Sequence, residues 1–251
     1  MHCDQFIEAT HSLFGDLLTT FDEGEEYAFY NFGPQMIYRI GFSTNITPDI
    51  VRQAAENKID LIVTHHDAWD FVFGMKEECH NLLKQFQISH YFVHLPLDYA
   101  DFGTCNSLFQ ALKVNQIIQT TYHNEGRSIP GVGTFKDPLT FEALSERVTT
   151  VLKESVKSWK NSEKRISKVG IITGAGNSTK NILDALKLGC DAYITGEKTL
   201  YSVQYAQYVG MNMIVGSHTF TEIFGVRSLV EQIGIKFNHL EIIELSEEHF
   251  E

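Results

Sequence analysis

Apolar and polar positions alternate along this chain in two rhythms, one with the period of a helix and one continuous over four to six residues. Phe6, Ile7, His11, Phe14, Leu17 and Leu18 recur at helical spacing, which predicts an amphipathic N-terminal helix packed on a sheet. Met36 to Phe42 is short and apolar enough for a strand. Thr47-Pro48-Asp49 then offers an N-cap with proline at the first helical position, opening a helix that runs to Asn57. Ile59 to Thr64 is an unbroken apolar run of strand length, the mark of a strand buried on both faces of a parallel sheet. A helix over Cys79 to Gln87, a strand over His90 to Val93 and a helix over Thr104 to Leu112 continue the alternation.

The rhythm lapses between Tyr122 and Gly133, a polar, glycine-containing segment that marks the expected lobe boundary. It then resumes. A helix is predicted over Phe141 to Lys157, a strand over Val169 to Thr173, a helix over Ser178 to Leu188 closed by Gly189, and a strand over Asp191 to Thr195. A helix over Leu200 to Val209, ended by Gly210, precedes a strand over Met211 to Val215 and a helix from about Thr219 to Ile233. Strand and helix in alternation define an α/β protein. The expectation is two α/β lobes with mixed or mostly parallel sheets, residues 1–125 and 126–251, the C-terminal part free to pack back onto the first lobe.

Charge and composition narrow the function. With 20 basic and 32 acidic residues the formal net charge is −12, which disfavours a protein built to coat nucleic acid. Binding of nucleic acid by an assembly of such chains would need the basic residues to cluster on one face. The four cysteines are scattered without short-range pairing and read as free thiols. The N-terminus lacks the basic stretch and apolar run of a signal peptide, and no apolar run approaches a membrane span, so a cytoplasmic protein is expected. Eleven histidines raise the question of metal chemistry.

Three polar clusters each follow an apolar strand, where α/β proteins gather their ligand sites. Thr64-His65-His66-Asp67 follows the first buried strand. In an extended chain the two imidazoles face opposite sides, so serving one site requires the strand to turn, or two ions taking one histidine each. His94-Leu95-Pro96-Leu97-Asp98 follows the second strand, Pro96 stopping the ladder and fixing a turn that presents His94 and Asp98. Gly216-Ser217-His218-Thr219-Phe220-Thr221-Glu222 follows the last strand, and on a helix His218 and Glu222 face the same way. Taken singly, each has a structural reading: capping histidines, a turn aspartate, half of a surface ion pair. Gly174-Ala175-Gly176-Asn177-Ser178 reads as a tight strand-to-helix turn, with phosphate contact as the alternative. Gly196-Glu197-Lys198 reads as a turn or as part of a pocket rim.

Together THHD, HLPLD, GAGNS and DAYITGEKTLYSVQYAQYVGMNMIVGSHTFTE resemble the NIF3-like (DUF34) family, some of whose members are named GTP cyclohydrolase 1 type 2. The resemblance spans nearly the whole chain. It implies two α/β lobes around a dinuclear divalent-metal site and assembly into a homohexamer. It implies His65, His66, Asp98, His218 and Glu222 as ligands, with His94 beside the metals. Three motifs depart from the family pattern: Asp67 stands where proline usually follows the histidine pair, HLPLD replaces HTNLD, and Tyr30-Asn31-Phe32-Gly33 only echoes an N-terminal D-N-x-G-L element. These changes alter the pocket wall and keep every implied ligand.

Imidazole and carboxylate ligands without thiolates suit two ions of Zn, Fe, Mn, Co or Ni. Five protein ligands for two ions leave open positions, which suits metal-assisted hydrolysis by metal-bound water, with Glu222 as the bridging ligand. The expected function is therefore a metal-dependent hydrolase of the GTP cyclohydrolase type, acting on a nucleotide or related anionic substrate. The alternative is a non-catalytic metal-binding carrier, adaptor or regulator. A ready set of substrate-binding groups would separate the two, and the candidates are Glu197, Lys198, Tyr201 and the GAGNS loop.

Overall fold

The computed structural model describes residues 1–124 and 126–248. Glu125, where the sequence reading ends its first lobe, and the chain end at 249–251 lie outside the described residues. The described chain forms two compact units, Met1–Phe102 together with residues 225–248, and Gly103–Phe224. The division thus falls at 102/103, not at the 125/126 of the sequence reading. The polar stretch that suggested a boundary is folded within the second unit as a hairpin and the start of a long strand.

The first unit opens with α1 (Cys3–Phe14) and α2 (Asp16–Thr20), two helices where the periodicity predicts one, interrupted at Gly15 with φ +54°. β1 (Tyr27–Tyr30), β2 (Arg39–Ser43), α3 (Pro48–Glu56), β3 (Leu61–Thr64), α4 (Met75–Phe86), β4 (Ser89–Val93) and α5 (Leu95–Tyr99) follow. The second unit contains α6 (Thr104–Ala111), β5 (Gln116–Gln119), β6 (Tyr122–Asn124), β7 (Arg127–Ile129), β8 (Gly131–Leu139), α7 (Phe141–Leu152) and β9 (Lys157–Trp159). It continues through β10 (Ile166–Ile172), α8 (Thr179–Lys187), β11 (Ala192–Thr195), α9 (Leu200–Val209), β12 (Asn212–Val215) and the start of α10 (His218–Lys236). The end of α10 and β13 (Glu241–Glu244) belong to the first unit.

Each unit is built on a mixed sheet, as the α/β expectation requires. In the first the order is β1-β4-β3-β2-β13, with β4, β3, β2 and β13 parallel and β1 antiparallel to β4. In the second the order is β5-β8-β10-β11-β12-β9, with β10, β11 and β12 parallel and the flanking strands antiparallel. Every residue of β3, β11 and β12 is buried, because helices cover both faces of a parallel sheet. In the first unit Ile50, Val51 and Ala54 of α3 and Cys79 and Leu83 of α4 close over Ile62 of β3. In the second unit Leu108, Phe109, Leu144 and Val148 from α6 and α7 cover Val169, Ile171, Ile194 and Ile214.

Local signals set the helix ends. Thr47 Oγ1 accepts the Ile50 N–H at 3.2 Å with proline in the first turn of α3. Ser178 and Asn181 form a reciprocal capping box at α8.

Register brings the strand ends level. Ser43 of β2 pairs with Thr64 of β3, and Thr64 with Phe92 of β4, so the loops after β2, β3 and β4 leave one edge of the sheet together. The same holds in the second unit, where Ile172 pairs with Thr195 and Thr195 with Val215.

Candidate metal centre

In the first unit the strand does turn after Thr64. The N–H groups of His65 and His66 both donate to the Thr44 carbonyl, at 3.0 and 2.9 Å, and this shared acceptor bends the chain. The two rings consequently lie side by side, centroids 4.4 Å apart, where an extended chain would send them to opposite faces. His94, at the end of β4, brings its ring to 5.0 Å from His65 and 5.3 Å from His66. One ring nitrogen from each of the three falls within 4.8 Å of the others.

Each imidazole is oriented by an acceptor. His65 Nδ1 lies 3.0 Å from the Val93 carbonyl, His66 Nδ1 2.8 Å from Asn45 Oδ1, and His94 Nδ1 2.7 Å from Glu26 Oε2. Carbonyl and carboxylate oxygens only accept, so Nδ1 carries the proton in each ring and Nε2 the lone pair. The His94 hydrogen bond is also the main reason that the Glu26 carboxyl lies below the usual carboxylate range, against the opposing effect of burial. Pro96 sits in the first turn of α5, which turns the residues after β4 into a short helix rather than a simple turn. That helix holds Asp98 Oδ1 3.5 Å from His65 Nε2.

The second unit builds its own cluster at the ends of β10, β11 and β12. Ser217 caps the start of α10, its Oγ accepting the Phe220 N–H at 3.1 Å, so that His218 begins the helix. One turn on, Glu222 is buried and its Oε2 stands 3.2 Å from His218 Nε2. His218 Nδ1 meets Glu197 Oε1 at 2.7 Å. Burial opposes the charge on this imidazole, but the Glu222 carboxylate and the hydrogen bonds to Glu222 and Glu197 outweigh it, and its pKa is pushed up to about 10.

Loops read from sequence as turns supply the support. The other Glu197 oxygen accepts from Asn177 Nδ2, which ties the GAGNS loop to the Gly196-Glu197-Lys198 turn. Gly174 N–H donates to Thr221 Oγ1 at 2.9 Å. Glu197, given from sequence as a turn or rim residue, thus orients a candidate ligand. Sequence reasoning missed Glu26 and Asn45. Asn45 alone carried a readable signal, its position two residues beyond the end of a parallel strand.

The donors fit a divalent ion of borderline character. They are imidazole nitrogens and carboxylate oxygens, oriented by hydrogen bonds as metal ligands require. The thiols are buried, and burial pushes Cys79 and Cys190 up to about 12, which keeps them protonated.

Residues 32–249 match the family described as Duf34/NIF3 (NGG1p interacting factor 3). A Pasteurella multocida protein named GTP cyclohydrolase 1 type 2 homolog is 29% identical over 206 residues, covering 79% of this chain and 80% of that protein. Among solved structures, protein ybgI, described as of unknown function, aligns with a TM-score of 0.84 at 19% identity over 99% of both chains. A Bacillus cereus protein related to NIF3 aligns with a TM-score of 0.79 at 14% identity, covering 100% of this chain and 98% of its own. At such identities the structural likeness is one of fold.

Proposed function

This chain belongs to the Duf34/NIF3 family, and from that premise we propose that it is a divalent-metal-dependent hydrolase acting on a nucleotide or related anionic substrate. The observation that carries the reading is the common polarity of four strand-end histidines. His65, His66, His94 and His218 each direct Nδ1 at an oxygen acceptor, the arrangement in which Nε2 serves a metal. The proposed ligands are His65, His66, Asp98, His218 and Glu222, with His94 beside them. The proposed cofactors are two divalent ions drawn from Zn, Fe, Mn, Co and Ni.

When bound, such ions supply Lewis-acid polarisation and activation of water. The chain's own groups do the rest. Asp98 and Glu222 bring two negative charges to the ions, and Glu26 and Glu197 place two more behind the rings of His94 and His218. Open positions on the ions, rather than a surplus of local positive charge, would receive an anionic substrate in a chain that carries −12. Glu26 and Glu197 fix the rings of His94 and His218, and Asn177 fixes Glu197. The naming of relatives as GTP cyclohydrolase 1 type 2 homologs makes GTP the first substrate to try.

Self-association, with a hexamer preferred, and a cytoplasmic location belong to the same proposal. Among the described residues no helix is long and apolar enough to cross a membrane.

Protein expressed with added Mn, Zn, Co or Fe is expected to retain metal through purification. It is expected to hydrolyse GTP, another nucleotide or a phosphoester faster than a Glu222→Ala control. Loaded protein that turns over none of them transfers support to the carrier or adaptor reading, and protein that retains no metal removes both.

A further inference from the structure

Glu247 lies on the segment that follows β13, far in sequence from the histidine pair. Its Oε2 accepts the Thr44 N–H at 2.6 Å, and its Oε1 accepts the Asn45 N–H at 3.0 Å and Asn45 Nδ2 at 2.9 Å. The segment is itself anchored. Leu245 N–H donates to the Phe42 carbonyl, and Ser246 and Gln53 exchange two hydrogen bonds at 2.9 and 3.0 Å. Glu247 therefore stands in a defined place beneath the loop that leaves β2.

Hydrogen-bond direction propagates from there. A carboxylate that receives N–H groups on both oxygens acts only as an acceptor, so the Asn45 amide must turn its NH2 toward Glu247 and its Oδ1 away. That Oδ1 is the atom 2.8 Å from His66 Nδ1. A carbonyl oxygen cannot donate, so His66 must hold its proton on Nδ1 and its lone pair on Nε2. If Asn45 flipped, NH2 would face the ring, the proton would move to Nε2, and the outward nitrogen would lose the lone pair that a metal needs. Free neutral imidazole favours the proton on Nε2, so the ligand form needs this support. The clamp also acts on the backbone, because the carbonyl of the same Thr44 receives the N–H groups of His65 and His66.

We infer that Glu247 is a positioning residue for His66: acting through Asn45, it selects the Nδ1–H tautomer and presents Nε2 to a divalent metal ion. The metal half of this inference rests on His66 being a ligand, as proposed above. The tautomer half does not, and can be read on metal-free protein.

The test is long-range proton–nitrogen correlation of the imidazoles in the metal-free full chain, with His66 assigned by loss of its signals in His66→Gln. Competition titration with Zn2+ on the same proteins accompanies it. Wild type is expected to show His66 as Nδ1–H. Glu247→Ala is expected to shift it toward Nε2–H and to weaken Zn2+ binding by about tenfold, the lower end for loss of an outer-sphere partner. Asn45→Ala, which leaves the C-terminal segment intact, is expected to do the same. The double variant Glu247→Ala/Asn45→Asp should restore both, since a carboxylate at 45 accepts from His66 in either rotamer. A purely structural role for Glu247 gives no such rescue. An Nε2–H ring in wild type, or an unchanged Nδ1–H ring in Glu247→Ala, overturns the inference. A shifted tautomer with Zn2+ affinity unchanged there and in His66→Ala overturns the assignment of His66 as a ligand and leaves the relay standing.

Discussion

Gly174 and Glu222 pack so closely that a methyl group on Gly174 would overlap Glu222 Oε1 and stand 2.8 Å from His218 Nε2. The backbone at Gly174 is also left-handed, with φ +58°. Its carbonyl accepts the N–H groups of Gly176 and Gly196, both at 3.0 Å, so the loop cannot retreat without breaking the ends of β10 and β11. Gly174→Ala is therefore expected to cost about 1–3 kcal/mol of stability through backbone strain. It should also weaken divalent-metal binding by displacing the carboxylate. Urea denaturation and a metal competition titration check the two effects, and an unchanged metal affinity would separate Glu222 from the site.

His218 is gripped at both nitrogens by carboxylates, Glu197 at 2.7 Å and Glu222 at 3.2 Å. Replacing a ligand should hurt at least as much as replacing its support, for which roughly 10–100-fold losses are typical. His218→Ala is expected to lower metal affinity by at least tenfold. Glu197→Ala should lower it by no more than His218→Ala does, and Glu197→Gln, which keeps an acceptor oxygen, should stay nearest to wild type. Isothermal titration with Mn2+ and Zn2+ orders the three. Wild-type affinity in His218→Ala removes that residue from the ligand set.

Acid should destabilise the fold through His90. This ring is fully buried in β4, and burial drives its pKa down from 6.5 to about 4. Thr64 Oγ1 donates to the His66 carbonyl at 2.7 Å and sits 2.8 Å from His90 Nε2, so the neutral ring donates there. Because the folded pKa lies below the unfolded one, the unfolded chain binds the proton more readily. Stability is intact above about pH 6.5 and is lost as the pH falls toward about 4, by on the order of 3 kcal/mol in full. The urea midpoint is expected to drop across that window, and His90→Gln to flatten the drop. An equally steep acid loss in the variant would assign it to other groups.

Much of the fold was legible because burial wrote it into runs of one kind. β3, β4 and β12 are buried throughout and mostly apolar, and Thr47 and Ser178 cap their helices as their types demand. The three strand-end clusters followed from those runs. β1 and β13 were missed, since both stand at the edge of their sheet, span four residues and interleave exposed or half-buried positions. The stretch from Tyr122 to Gly133 read as a linker because glycine weakens a strand pattern. Gly131 and Gly133 are there for close approach: a Cβ on Gly133 would meet Val114 at 2.6 Å and Phe109 at 3.0 Å. The link behind Asn45 was illegible for a different reason. Asn45 and Glu247 are 202 positions apart, and no local periodicity links them.

Tyr201, Tyr205 and Tyr208 recur at the i, i+4, i+7 spacing of one helical face of α9. Tyr201 is 70% exposed and Tyr208 86%, with Leu200 beside them at 66%. Tyrosine is enriched in protein interfaces, where its large apolar ring is buried and its hydroxyl stays satisfied. A stripe of such rings on an outer helix is the surface that self-association would cover, and a closed symmetric assembly is the common outcome. Light scattering at micromolar concentration is expected to give a mass several times the 28.6 kDa of one chain, with six copies preferred. Tyr201→Glu combined with Tyr208→Glu places two like charges on that face and should lower the mass while leaving the circular dichroism of the folded chain unchanged. A monomeric wild type defeats the assembly expectation, whereas a multimer that the double variant leaves intact moves the interface away from α9.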